Sequence, residues 1–223
     1  MPRIVCLSDT HNAHDEIVVP DGDILIHAGD ATNRGTIEEI ARFSSWFKNL
    51  PHKHKIFVAG NHDWLFEISP PTARRLIEGI TYLQDSFVEI ENFKIYGSPW
   101  QPRFFDWAFN LTRGRELAEK WRLIPDDTDI LVTHGPPFGI LDEAPRGILP
   151  NENTGCQDLQ RRIKELVGFN RLKLHVFGHI HFSYGVTEMF DEKFNRQVGV
   201  KFANASNCDE SYCPVNAPLV FDL

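Results

Sequence analysis

Ten histidines in 223 residues, several of them beside Asp, Asn or Gly, are the feature of this chain through which chemistry can be read. Asp9 with His11, then Asp30, Asn61, His134, and His179 with His181 each close a short apolar run. Carboxylate, amide oxygen and imidazole together suit Mn, Fe, Zn or Co rather than Ca or Mg, which prefer all-oxygen shells; ligand type does not choose among the four, and Mn is the expected ion. These seven ligands are too many for one tetrahedral ion and suit two ions bridged by a carboxylate. Asp9 and His11 lie two residues apart, as do His179 and His181. On extended backbone such pairs face one side, so each is expected to reach one centre.

Ligands so placed need elements that end together. Apolar, β-branched runs over 3–9, 23–30, 55–61, 129–134 and 172–181 read as strands, and each finishes on an Asp, Asn or His. In open α/β sheets, ligands bind beyond the carboxyl ends of the strands, where several ends share one crevice. Helical spacing predicts helices over 37–49, 113–123 and 157–167. Thr36 is the expected N-cap of the first, with Glu38 and Glu39 in its opening turn, and Gly168 the expected stop of the last. The stretch 87–97 reads as a hairpin turning at Glu91 and Asn92, and 185–189, 198–203 and 219–222 read as further strands. Strand and helix alternate first and strands dominate later, so the expected fold class is α/β, two packed mixed β-sheets flanked by helices. No repeat, low-complexity tract or linker divides the chain, which predicts a single domain over 1–223. The long irregular stretches 99–111 and 136–154 are expected to be functional loops.

The ordered set D-x-H (Asp9, His11), G-D (Gly29, Asp30), G-N-H-D (Gly60 to Asp63), H-G-P-P (His134 to Pro137) and G-H-x-H (Gly178 to His181) resembles the calcineurin-like metallophosphoesterase superfamily over roughly residues 3–205. The segment G-S-P-W-Q-P (Gly97 to Pro102) and the closing residues 218–222 further resemble the small MPPED-type metallophosphodiesterases. The resemblance implies a four-layer sandwich of helices, two sheets and helices. It implies that Asp9, His11 and His181 hold a first ion, that Asn61, His134 and His179 hold a second, and that Asp30 bridges them. It implies that His62 is the general acid, that Asp63 orients it, and that Arg34 contacts phosphate. The chain departs from the superfamily's protein phosphatases at Ala59, where they carry Arg directly before G-N-H. One phosphate clamp is therefore missing. The implied reaction is attack on phosphorus by a water that two cations have acidified, with His62 protonating the leaving alkoxide.

Net charge is −8, which argues against a nucleic-acid partner, and no apolar run approaches the ~20 residues of a membrane helix. Absence of a signal-like start predicts a cytoplasmic protein, and the expected partner is a small-molecule phosphoester, with no protein partner indicated. Cys6, inside an apolar run, is expected to be an inert buried thiol, and Cys208 and Cys213 are expected to stay unpaired. His27 and His175, in mid-strand, are expected in the core, and His14, His52 and His54, among polar neighbours, in solvent. Trp64, Phe104, Phe105, Trp107 and Trp121 are expected to pack in the core rather than stack on a base. The favoured function is hydrolysis of small phosphodiesters, cyclic nucleotides among them. A phosphomonoesterase or protein phosphatase is the alternative enzyme. A catalytically silent scaffold is the alternative of another class, disfavoured because a scaffold has no use for seven ligands and His62 together.

Overall fold

The computed structural model describes residues 1–147, 149–191 and 196–223. In chain order its elements are β1 (Arg3–Leu7), β2 (Ile24–His27), α1 (Ile37–Asn49), β3 (His54–Phe57), α2 (Leu65–Ile68), α3 (Pro70–Leu76), β4 (Thr81–Tyr82), β5 (Ser86–Ile90), β6 (Phe93–Ser98), β7 (Gln101–Pro102) and β8 (Asn110–Leu111). There follow α4 (Arg115–Trp121), β9 (Ile130–Thr133), β10 (Glu143–Arg146), β11 (Leu149–Asn153), α5 (Gln157–Gly168), β12 (Leu174–Phe177), β13 (Gly185–Asp191), β14 (Arg196–Asn204) and β15 (Leu219–Asp222).

Two mixed sheets form, one ordered β15-β1-β2-β3-β4 and the other β13-β14-β12-β9-β6-β5. The strand-ending runs of the sequence are thus divided, β1 to β3 pairing in parallel in one sheet and β9 with β12 in the other. Alternation along β1 shows why four layers result. Ile4 and Cys6 face the other sheet, in a core with Ile95, Ile130, Val132 and Val176. Val5 and Leu7 face the other way, onto Ile40, Phe43 and Phe47 of α1. The second sheet repeats the pattern, with Leu131 and Phe202 against Leu117, Trp121 and Ile163 of α4 and α5. A strand buried on both faces reads as an unbroken apolar run, which is what these strands show. The expected αββα sandwich is the fold found.

Local signals mostly hold. Thr36 caps α1 in a capping box with Glu39, and Glu39 also accepts hydrogen bonds from Asn12 and from the Arg34 backbone, tying the helix start to two loops of the site. Glu91 and Asn92 take φ of 50° and 68°, the left-handed pair that a tight hairpin turn requires. Helix α5 runs through Gly168 rather than stopping before it, and Asn170 takes the left-handed position at φ 54°. The stretch 136–154 is less irregular than expected, since β10 and β11 pair within it. His14 and His52 are buried, against expectation: a short turn tucks His14 against Phe43 and Trp46, and His52 bonds the Pro20 carbonyl at 2.9 Å. Sequence neighbours do not report such tertiary cover. His54 is half-buried and lies 3.3 Å from Glu91. His27 and His175 are buried as expected, bonded to Thr10 and Thr133. Cys6 is buried, and Cys208 and Cys213 are free thiols, one buried and the other exposed. Trp121 is core, but Phe104 and Phe105 are exposed rather than packed.

Candidate metal centre

The strands β1, β2 and β12 stop at Leu7, His27 and Phe177, so the expected ligands lie in the loops that follow rather than on strand. Asp9, His11, Asp30 and His179 take left-handed φ of 52°, 41°, 52° and 69°. That region costs a non-glycine residue on the order of 1–2 kcal/mol, and it persists only where surrounding bonds impose it. Turned backbone, not the pleat of a strand, therefore aims these side chains. Two motif glycines admit the close approach. A Cβ on Gly60 would strike the Asp30 carboxylate, and one on Gly178 would strike the Asp9 carboxylate and the Ser8 hydroxyl.

Asp9, His11 and His181 form one cluster of ligand atoms, and Asp30, His134 and His179 a second. A third shares His11 with the first and Asp30 with the second, and adds His62; within each cluster the ligand atoms lie within 4.8 Å of one another. Asn61 joins the second through its Oδ1, 2.9 Å from His134 Nε2. All seven expected ligands are thus brought together, but His179 and His181 serve different clusters rather than one. Asp30 Oδ2 is 3.3 Å from His134 Nε2 and 3.7 Å from that of His11, and Asp9 Oδ1 is 3.3 Å from His181 Nε2. Two donors about 2.1 Å from one cation stand roughly 3.0–3.4 Å apart, so the spacing fits a divalent ion. The donor chemistry fits as well. His134 Nδ1 donates to the Ala28 carbonyl at 3.0 Å and His181 Nδ1 to that of Asp209 at 2.8 Å. A carbonyl only accepts, so each bond fixes the proton on Nδ1 and leaves the Nε2 lone pair facing the centre. Carboxylate oxygens are held too: the Ser206 hydroxyl and His179 amide donate to Asp9 Oδ2 at 2.8 and 2.9 Å, and the His62 amide to Asp30 Oδ1 at 2.7 Å. The residues present are those of a divalent metal centre.

Burial pushes both carboxyls up, but His181 beside Asp9 and His134 beside Asp30 outweigh it and hold both below the usual carboxylate range. The imidazoles separate into two kinds. Burial lowers His134 and His181, yet the adjoining Asp30 and Asp9 overcome it and raise each to about 9. For His11 and His179 burial wins, and they fall to about 4 and about 3.

His62 Nδ1 donates to the Asn33 carbonyl at 2.8 Å, its ring stacks on Trp107 at 4.1 Å, and its Nε2 lies 4.0 Å from Asp30 Oδ2. Asp63, expected to orient His62, instead accepts from the Gly60 amide at 2.8 Å, the Thr32 amide at 3.1 Å and the Thr32 hydroxyl at 2.7 Å. It fastens the loop of Asn61 to the loop of Asp30, and the Asn33 carbonyl does the orienting. Arg34 is exposed and does not line the cleft of about 520 Å³ over the centre. Arg103, Arg113 and Tyr212 do line it, and sequence reasoning singled out none of them. Arg103 stands in the Pro-rich stretch 99–111 already marked as a functional loop. Nothing in the sequence marks Tyr212.

The calcineurin-like phosphoesterase family model matches residues 2–183. The chain is 43% identical over 244 residues to Metallophosphoesterase domain-containing protein 1 of Homo sapiens, across 99% of this chain and 71% of the human protein. The Mus musculus protein of that name matches to the same degree. A UPF0046 protein of Caenorhabditis elegans is 37% identical over 238 residues, across 99% of this chain and 80% of its own.

A ligating imidazole is neutral, so metal binding must expel the protons that His134 and His181 hold below about pH 9. Both values are raised, so affinity is weakest in acid, climbs as pH rises towards 9 and levels above it. Calorimetric titration of chelator-treated protein with Mn, in buffers of different ionisation enthalpy, should show about two protons released near pH 7. An affinity flat from about pH 6 upward would contradict this.

Proposed function

The chain belongs to the calcineurin-like phosphoesterase family, and from that premise we propose that it is a dinuclear phosphodiesterase acting on small phosphodiesters, cyclic nucleotides among them. The observation that carries this reading is Asp30, a buried carboxylate shared by two of the three ligand clusters, with His62 facing the same oxygen. Two divalent ions, Mn favoured over Fe, Zn or Co, would supply the charge that acidifies water and neutralises the phosphoryl oxygens. Asp9, His11 and His181 would hold one, Asn61, His134 and His179 the other, and Asp30 both.

The chain's own part in the reaction is proton delivery and positioning. With Nδ1 committed to Asn33, His62 can give up a proton only from Nε2, the atom that faces Asp30. To donate there it must start as the imidazolium. The leaving alkoxide would take that proton. Trp107, stacked on the ring, limits its rotation.

Diester preference is supported by how the described arginines are placed. Ala59 stands before Gly60, Arg34 lies outside the cleft, and Arg113 is committed to the carbonyls of Gly155 and Thr154 at 2.7 and 2.6 Å. Among the described residues lining the cleft, Arg103 is the arginine left to offset the second charge of a monoester, its ion-pair partner Asp106 being 3.8 Å away. A phosphomonoesterase is the competing reading, and a silent scaffold sits poorly with all seven candidate ligands and His62 gathered around one centre.

Metal-loaded protein should cleave bis-p-nitrophenyl phosphate faster than p-nitrophenyl phosphate, by about ten-fold or more in kcat/KM, or about 1.4 kcal/mol. Equal or reversed rates favour the monoesterase. His62→Ala should retain its metal and lose about 10²–10³-fold on a cyclic nucleotide, whose alkoxide leaving group needs a proton. The loss on bis-p-nitrophenyl phosphate should be much smaller, because p-nitrophenolate leaves without one. Equal losses on both substrates would make His62 a stabiliser of phosphoryl charge, and lost metal would make it a ligand.

A further inference from the structure

Tyr212 stands beyond the span matched by the family model, on a loop that returns over the centre. Its ring meets His11 edge-on at 4.6 Å between centroids, and lies 5.7 Å from His181 and 6.1 Å from His62. Its backbone is left-handed at φ 61°, a conformation that disfavours a bulky side chain. Asp209 imposes it: its carbonyl accepts from the Tyr212 amide at 3.0 Å, and its Oδ1 accepts from the amides of Ser211 at 2.9 Å and Cys213 at 3.0 Å. That carbonyl also accepts from His181 Nδ1, so one residue fixes both a metal-facing imidazole and the strained tyrosine. Strain of this kind is kept where a side chain must stand in one place.

The hydroxyl completes the case. Among the described residues lining the cleft, two carry hydroxyls, and that of Thr154 is spent on the Asp142 carbonyl at 3.1 Å. The Tyr212 phenol has no hydrogen-bond partner among the described residues, and an un-ionised phenol is a donor at neutral pH. We propose that Tyr212 is a substrate-contacting residue, its hydroxyl donating a hydrogen bond to a non-bridging phosphoryl oxygen beside the His11–His181 cluster. The inference rests on the phosphoesterase reading above and deepens it.

Tyr212→Phe keeps the ring and removes the donor. In metal-loaded, full-length protein it should lower kcat/KM for bis-p-nitrophenyl phosphate by about ten-fold or more, the loss expected for a hydrogen bond to a charged group. Melting temperature and metal content should stay at wild-type values. Calorimetric binding of inorganic phosphate should weaken by a similar factor, and this arm needs no turnover. If the wild type hydrolyses no ester yet Tyr212→Phe weakens phosphate binding, the reaction reading fails and the contact stands. Unchanged phosphate affinity overturns the contact whatever the wild-type activity. Loss of metal or of melting temperature in Tyr212→Phe also overturns it, by making the hydroxyl structural.

Discussion

Two carboxylates sealed from water are what the rest of this structure answers to. Asp9 is 0% and Asp30 2% exposed, and among the described residues neither pairs with Arg or Lys. A buried carboxylate without compensation costs several kcal/mol or neutralises itself. Here imidazoles from opposite ends of the chain surround both, together with a hydroxyl and two amides. Such an arrangement is tolerable only if positive charge comes to it, as protons on His134 and His181 or as a divalent cation that displaces them.

The sandwich exists in the form that lets this happen. Asp9, Asp30 and Asn61 follow strands of one sheet, and His134, His179 and His181 follow strands of the other. The centre lies where the carboxyl ends of the two sheets meet, and the Ser8–Ser206 bridge closes that seam. Backbone carbonyls of Ala28, Asn33 and Asp209 then fix three imidazoles by their far nitrogens. Asp63 welds two of the ligand loops together, so a group expected at the chemistry turns out to hold its frame. Precision of this sort comes from second contacts as much as from the ligands themselves.

The clustering of the candidate ligands was legible because the sequence marks them twice, by residue type and by their place after apolar runs. The fold class was legible for a related reason, since strands buried on both faces carry unbroken apolar stretches that stand out from amphipathic helices. What failed were inferences that took local sequence as a guide to space. The i, i+2 pairs were assigned a strand's geometry, whereas left-handed turns at Asp9, His11 and His179 set their directions and send His179 and His181 apart. His14 and His52 looked solvated because their covering residues are distant in sequence or come from a turn. Arg34 lies outside the cleft, while Arg103 and Tyr212, without a motif of their own, line it. Only chain folding could bring Tyr212 back over His11.

On the proposed reading, Asp30 stands between two cation sites, each drawing its ligands from loops of both sheets. Anomalous X-ray diffraction from crystals of Mn-loaded protein tests it most directly. Two peaks are expected about 3.5–4 Å apart, a separation typical of two-metal sites. One should lie among Asp9, His11 and His181, the other among Asn61, His134 and His179, with the Asp30 carboxylate between them. A single peak, or two peaks with Asp30 bound to only one, would contradict it.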